Sequence, residues 1–199
     1  ALARVPADTF RVLDHLPRPG AKTRPARLVI RLAGLFAGVP ASTARDALRA
    51  LRFSNTDGAA IGRILEGWAA VGEAMGVRLA DGSPADSEIR RWIAATGRTQ
   101  WSLIMRLANA VWANARASGH PAPAAAVVRS VYRRGVRIAY RDPVELSDLA
   151  VDGDDLRAAG VPPGPELGRL LARMLEVVVG DPSKNQRDAL LALVKSDRQ

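Results

Sequence analysis

The stretch from Leu146 to Leu171, LSDLAVDGDDLRAAGVPPGPELGRLL, decides the fold of the C-terminal half of the chain. Asp152 to Asp155 supply carboxylates where the first N–H groups of a short helix have no partner, and Gly160 is positioned to end that helix. Val161-Pro162-Pro163-Gly164 predicts a stiff turn. Pro165 then takes the first position of a second helix, where proline is accepted. The stretch therefore predicts a helix, a glycine-rich hairpin and a second helix.

The N-terminus of this second helix is a candidate anion site, because its first backbone N–H groups are free and favour negative charge. Gly168, one turn into the helix, carries no side chain that would block a close approach. We therefore predict that Gly164, Gly168 and the amides after them bind a backbone phosphate, helped by Arg169 and Lys184. The alternative is a plain helix–helix turn whose glycines serve only the geometry of the turn.

The composition indicates a basic globular protein. The chain has 199 residues, 48% of them hydrophobic, and a net charge of +9; of its 29 basic residues only Lys22, Lys184 and Lys195 are lysines. Arginine is the better residue for bidentate contact with phosphate, so a polyanionic partner is the leading interpretation, with nucleic acid ahead of a membrane surface. No apolar run approaches the roughly 20 residues that a membrane helix needs. The absence of cysteine excludes disulfides and thiolate metal sites, and we expect a cytoplasmic protein.

A dense basic patch lies on the helix predicted from Pro121 to Tyr140. Its five arginines occur within thirteen positions that hold no acidic residue: Arg129, Arg133, Arg134, Arg137 and Arg141. Cations spaced by four residues repel one another unless an anion lies along them, so we predict that this row follows a nucleic-acid backbone. The alternative is an ordinary solvated helix face. Tyr132 and Tyr140 could stack on bases, although packing is the more usual role of a tyrosine on a helix.

The fold class follows from the spacing of the apolar residues, which recur at three and four and almost never at two. We predict an all-α fold of about ten helices in two stacked helical modules. A polar break with a glycine, at residues 80–82, separates residues 1–80 from residues 81–199, and the second module contains the helix–hairpin–helix turn at 153–171.

The residues that catalysis or metal binding would need are mostly missing. The chain has two histidines, His15 and His120, each in or beside a proline-bearing loop. Asp152, Asp154 and Asp155 have the D-x-D spacing of a two-metal site, but helix capping accounts for them better. We therefore predict no catalytic residue, no metal ligand and no cofactor in this chain.

Two segments carry a resemblance to a known family. The C-terminal segment from Ser147 to Val194 matches a family pattern of three parts: D-L-x-[VI]-x-G-x-D-L, a PGPxxG turn and a helix that ends G-x-x-x-N. The matching residues are, in order, Asp148-Leu149, Gly153, Asp155-Leu156, Pro163-Gly164-Pro165, Gly168, Gly180 and Asn185. Earlier, Arg31 to Phe36 and Leu48 to Asn55 resemble that family's helical segment with its L-R-x-[LF]-S-N signature. The chain resembles the C-terminal region of bacterial CCA-adding enzymes, in the tRNA nucleotidyltransferase and poly(A) polymerase family.

This resemblance implies a tRNA-binding body and tail that follow an N-terminal catalytic head. The complete enzyme would use CTP and ATP with Mg²⁺ to build the 3′-terminal CCA, and the body and tail would grip the acceptor stem and TΨC arm. The chain begins Ala1-Leu2-Ala3 without an initiator methionine, so we expect it to start in the middle of a longer polypeptide. The resemblance implies that the catalytic head belongs to the same polypeptide or to a separate chain. Ala37-Gly38 stand where HD-bearing relatives carry His-Asp, so HD phosphohydrolase activity is not expected.

Two other functions stay open at this point. One is a non-catalytic domain for protein interaction or oligomerisation, whose arginines reflect codon bias. The other is the same region of a poly(A) polymerase, which shares these helices. The sequence does not separate CCA addition from poly(A) addition, because nucleotide choice lies in the head. Whether the parent polypeptide is an enzyme therefore rests on the resemblance.

Overall fold

The computed structural model describes residues 9–18 and 25–196, so Ala1 to Ala3 and Lys22 lie outside the described residues. Within the described part the chain forms ten α-helices and no β-strand, which confirms the predicted all-α fold. The helices are α1 (Thr9–Val12), α2 (Pro25–Leu35), α3 (Ala41–Ala50), α4 (Asn55–Ala80), α5 (Asp86–Thr96), α6 (Trp101–Ala117), α7 (Ala125–Arg141), α8 (Gly153–Ala158), α9 (Pro165–Gly180) and α10 (Arg187–Ser196). Three 3-10 turns lie at Leu13–His15, Leu146–Asp148 and Pro182–Lys184. Within the same residues, no helix combines the length and the apolar character that crossing a membrane requires.

The chain divides into two compact units, and each contains two separate stretches of sequence. The first holds the residues up to Pro84 together with 100–133, and the second holds 85–99 with the residues from Arg134 onward. This differs from the predicted division at residue 80, because α6 and the first half of α7 belong to the first unit. The reason is long-range packing of α6 against α2 and α4, which a break in the linear sequence does not reveal.

The first unit is organised by α4, whose 26 residues span about 39 Å. Its N-cap is Ser54, whose Oγ accepts a hydrogen bond from the Asp57 N–H at 3.1 Å. One face of α4 buries Ile61, Ile64 and Met75 completely. The apolar spacing of three and four thus places one continuous stripe of α4 in the core of this unit.

The second unit contains the predicted helix, hairpin and helix. The Asp152 carboxylate accepts hydrogen bonds from the N–H groups of Asp154 and Asp155 at 2.8 and 3.0 Å, which caps α8. At the other end of α8, the Gly160 N–H donates to Arg157 and the Val161 N–H donates to Leu156, both at 2.9 Å. This is a Schellman motif, in which Gly160 takes a positive φ of 86°. Both ends of α8 are thus stabilised by the residue types from which we predicted them.

The hairpin brings α8 and α9 together over an apolar core. Its buried members are Val151, Leu156, Val161, Met174, Val178, Leu190 and Val194. The Schellman motif contributes directly to this core, because Leu156 and Val161 are both buried. Such a contact across the end of a helix commonly accompanies the motif.

One buried arginine connects three helices of the second unit. Arg90, on α5, is only 8% exposed. Its Nε donates to the Val179 carbonyl at 2.7 Å and its Nη2 to the Gly180 carbonyl at 3.4 Å, at the C-terminal end of α9. Its Nη1 donates to the Asp142 carboxylate at 2.9 Å, directly after α7. The guanidinium therefore satisfies backbone carbonyls that the end of α9 would otherwise leave without a partner.

We expect Arg90→Met to lower the free energy of unfolding by about 2–4 kcal/mol, because the α9 carbonyls and the Asp142 carboxylate would lose a buried partner. The measurement is urea denaturation followed by circular dichroism. The matched control is Arg91→Met at the neighbouring exposed position, with an expected change within about 0.5 kcal/mol. Equal midpoints for the two variants would contradict the role assigned to Arg90.

Candidate nucleic-acid interface

The arginine patch lies on α7, which begins at Ala125, four residues after the predicted start at Pro121. Pro123 disfavours helical backbone at the residue before it, and the helix can form only beyond this point. α7 then continues to Arg141, so all five predicted arginines are helical. Arg129 and Arg133 belong to the first unit, and the other three belong to the second.

Four of these five arginines are exposed: Arg129, Arg133, Arg137 and Arg141. Consecutive members are four residues apart, so each lies about one turn, or about 6 Å, along the axis from the next. Among the residues that the structure describes, no carboxylate forms an ion pair with any of them. We call these four residues the arginine row.

Arg134 differs from its neighbours because the protein itself engages its guanidinium. The side chain is half-buried, and its Nε and Nη2 donate to Oδ1 of Asp86 at 3.0 and 2.6 Å. Asp86 is the first residue of α5. Arg134 therefore ties α7 to the start of α5, a contact that the linear spacing of the arginines did not reveal.

The start of α9 brings three of the predicted residues together. Gly164 has φ of 144°, a conformation that favours glycine, and Gly168 and the exposed Arg169 follow in the first turns. A Cβ built on Gly168 meets no described atom within 4 Å, so neither packing nor backbone conformation requires glycine there. Glu166 lies in the first turn, where the free amides favour its carboxylate and where it would repel a bound phosphate.

Lys184, the fourth residue predicted for this phosphate site, lies at the opposite end of α9. It is exposed on the 3-10 turn Pro182–Lys184, which follows the last residue of the helix. The 16 residues of α9 span about 24 Å. The structure therefore does not bring Lys184 together with Gly164, and any contact of Lys184 with a polyanion would be a separate one.

The motif residues that carry the family resemblance form a hydrogen-bond network inside the second unit. The Asn185 side chain accepts from the Ala150 N–H and donates to the Asp148 carbonyl, both at 2.8 Å. The Asp148 carboxylate accepts from the N–H groups of Val144 and Glu145 at 2.9 Å. These residues fix the segment before α8 to the turn after α9. Their role here is to hold the fold of the hairpin together.

The D-x-D carboxylates also have partners within the chain. Asp152 caps α8, Asp154 pairs with Arg157, and Asp155 accepts from the Asp152 N–H at 3.1 Å and pairs with Arg187. The hydrogen bond from Arg187, followed by that from the Asp152 backbone, lowers the pKa of Asp155 below its ordinary value of 3.8. Carboxylates occupied in this way do not fit a Mg²⁺ site, which supports the prediction of capping.

A second basic surface lies in the first unit, and the sequence did not predict it. Arg27, Arg106 and Arg129 line one cavity of about 660 Å³, together with Asn109 and Tyr132. These residues come from α2, α6 and α7 and are up to about a hundred positions apart in sequence. Only tertiary packing brings them to one cavity, so no local pattern could have revealed it.

Comparison with known protein families agrees with the resemblance. Residues 103–194 match the family model described as tRNA nucleotidyltransferase domain 2, putative. The matched part extends from α6 into α10 and includes all of α7 and the hairpin. Over this part of the chain, the similarity to the C-terminal region of a tRNA nucleotidyltransferase is confirmed. No curated protein and no solved structure matches the chain.

We expect Asp155→Asn to weaken the dependence of stability on pH. Because the folded pKa of Asp155 is depressed, its contribution to stability is present above the unfolded pKa and is lost as the pH falls through the folded value. The variant should therefore be less stable than the parent at neutral pH and should lose less stability on acidification to about pH 3. Denaturation across this range measures both effects.

The control is Asp81→Asn, which removes an exposed carboxylate that follows α4. This variant should retain the pH dependence of the parent chain. If Asp155→Asn lost stability on acidification as steeply as the parent does, the ion pair with Arg187 would not contribute to the stability of the hairpin.

Proposed function

We propose, from the similarity of residues 103–194 to tRNA nucleotidyltransferase domain 2, that this chain is the tRNA-binding C-terminal portion of a CCA-adding tRNA nucleotidyltransferase. It would work in the cytoplasm and bind the acceptor stem and the TΨC arm of tRNA through the phosphate backbone. A catalytic head, in the same polypeptide or in a separate chain, would add the 3′-terminal CCA from CTP and ATP with Mg²⁺. The residues of this chain would bind and orient the RNA.

The observation that carries this proposal is the arginine row. In the described part of the chain these four guanidinium groups have no carboxylate partner, whereas Arg90, Arg98 and Arg187 do have one, and the four follow one another at one-turn spacing along α7. Like charges one helical turn apart destabilise a helix unless an anion lies nearby. Phosphate oxygens accept bidentate hydrogen bonds from arginine, so an RNA backbone would relieve this repulsion.

The five predicted arginines therefore have two different roles in the proposal. Arg129, Arg133, Arg137 and Arg141 contact phosphates directly, and Arg134 positions the helix through its ion pair with Asp86. A second contact with the RNA backbone lies at Gly164, Gly168 and Arg169. Lys184 contributes independently of that contact, because the length of α9 separates them.

The alternative of a protein-interaction domain has less support. The exposed large apolar side chains among the described residues are Phe10, Leu28, Leu51, Val77, Tyr140 and Leu146. Each lies on a different helix or turn, so no single element presents a continuous apolar face of the kind that marks protein contacts. A poly(A) polymerase would use the same RNA-binding surface, and it would differ from a CCA-adding enzyme in the head.

We expect the double substitution Arg133→Glu and Arg137→Glu to weaken the binding of a tRNA minihelix and to flatten its salt dependence by about two units, one for each lost phosphate contact. The measurement is a fluorescence-anisotropy titration at several salt concentrations. The control is Arg63→Glu with Arg91→Glu, which makes the same change of charge at two exposed positions outside the row. An unchanged slope in the first variant, or an equal loss in the control, would contradict the proposal.

We expect Gly168→Gln to weaken minihelix binding by about tenfold, because a side chain there would block the approach of a phosphate to α9. The same change should leave stability unchanged or raise it by up to about 1 kcal/mol, since glycine is a poor helix former. Thermal unfolding separates the two effects.

Gly58→Gln is the matched control. Gly58 is the fourth residue of α4 as Gly168 is the fourth residue of α9, and a Cβ on either meets no described atom within 4 Å. This variant should bind the minihelix as the parent chain does. Wild-type affinity of Gly168→Gln would show that the RNA does not approach this turn.

A further inference from the structure

The cavity of about 660 Å³ in the first unit has the composition of a ligand site, and its size is typical of one. Its aliphatic lining residues are Leu16, Ile30, Met105 and Val128, each at most 5% exposed, and Pro17, which is exposed. The other five lining residues carry polar groups and come from α2, α6 and α7. Polar groups that converge from several elements on a concave surface with apolar walls are typical of a small-molecule site.

The charge of this cavity is strongly positive. Arg27 is half-buried in its lining, whereas Arg106 and Arg129 are exposed. Among the described residues, no aspartate or glutamate lines the cavity. Three cationic side chains line one concave surface, and a low-dielectric wall focuses the field of such charges into a cavity. The ligand that fits this field is an anion.

The remaining polar groups indicate what the anion carries. Tyr132 offers a half-buried aromatic ring and Asn109 a half-buried amide beside the apolar lining. An aromatic ring can stack on a nucleobase, and an asparagine amide can both donate to and accept from the edge of a base. A purely aliphatic anion would use neither the amide nor the ring in this way.

One wall of the cavity is held in place before any ligand binds. The Nη1 of Arg31, on α2, donates to the carbonyls of Leu13 and Leu16 at 2.9 and 3.2 Å. These bonds fix the 3-10 turn Leu13–His15 and the two residues that follow it, Leu16 and Pro17. Leu16 and Pro17 both line the cavity. A wall that is already ordered costs less conformational entropy on binding.

We propose that this cavity binds a nucleotide, with its phosphate against the guanidinium groups of Arg106 and Arg129 and its base on the apolar lining beside Tyr132. The nucleotide is either a free mononucleotide or one unpaired nucleotide of a bound RNA, since both present the same phosphate and base. This site is distinct from the proposed contact of the arginine row with the phosphate backbone of base-paired RNA, although Arg129 belongs to both sites. Arg106 and Tyr132 belong to the cavity alone.

The test is a calorimetric titration of the full chain with AMP, with adenosine and with pyrophosphate. We expect AMP to bind more tightly than either of the others, because only AMP combines a phosphate with a base. Arg106→Gln and Tyr132→Leu should each weaken AMP binding by about tenfold. Arg63→Gln, an exposed arginine on α4 outside the cavity, should leave it unchanged. Because Arg106 is exposed, its variant keeps the test valid even if Tyr132→Leu fails to fold.

A second arm distinguishes the two sources of the nucleotide. Two tRNA minihelices are compared, one with a single unpaired 3′ nucleotide and one with a blunt end. If the cavity binds a nucleotide of the RNA, Arg106→Gln should weaken binding of the first minihelix more than binding of the blunt one. If the cavity binds a free nucleotide, Arg106→Gln should not weaken binding of the first minihelix relative to the blunt one. The proposal is overturned if Arg106→Gln affects neither AMP nor the unpaired nucleotide, or if pyrophosphate binds as tightly as AMP. The blunt minihelix reports on the arginine row, so failure of either proposal can be recognised separately.

Discussion

The buried guanidinium of Arg90 is the interaction on which the arrangement of the second unit depends. It binds the last carbonyls of α9 and the carboxylate that directly follows α7, so α5, α7 and α9 meet at one side chain. The end of α7 carries Arg137 and Arg141, and the start of α9 carries the hairpin. A buried arginine stabilises such an arrangement only when its hydrogen bonds are satisfied, and here each donor nitrogen has an acceptor.

Two sets among the arginines of the chain have different physical roles. Arg90, Arg98, Arg134 and Arg187 pair with carboxylates of the second unit and hold its helices and turns together. The arginine row is exposed and, among the described residues, has no such partner. Exposed arginines without an ion pair also occur elsewhere in the described residues, for example Arg63 and Arg91, but the members of the row follow one another at one-turn spacing along a single helix. The paired arginines stabilise the helices and turns of the second unit, and the arginine row would provide the affinity for RNA that we propose.

The hairpin could be predicted because the interactions that form it are local in sequence. Contacts between residues that are distant in sequence could not be predicted. The capping carboxylate of Asp152 and the Schellman glycine Gly160 act within one turn of the chain, so their spacing predicts their structure. The pairing of Arg134 with Asp86 joins positions 48 residues apart and has no local signal. The same holds for the cavity lined by α2, α6 and α7. Lys184 was predicted to bind the same phosphate as Gly164, but α9 lies between them and separates them by its whole length.

The most direct test of the proposed function is the affinity of the unmodified chain for a tRNA minihelix, and for single-stranded RNA of the same length, across a series of salt concentrations. Four phosphate contacts from the arginine row predict tighter binding of the minihelix, with a slope of log affinity against log salt of about −3 to −4. Weak binding of both RNAs, with a shallow slope and no preference, would contradict the proposal that this chain grips tRNA.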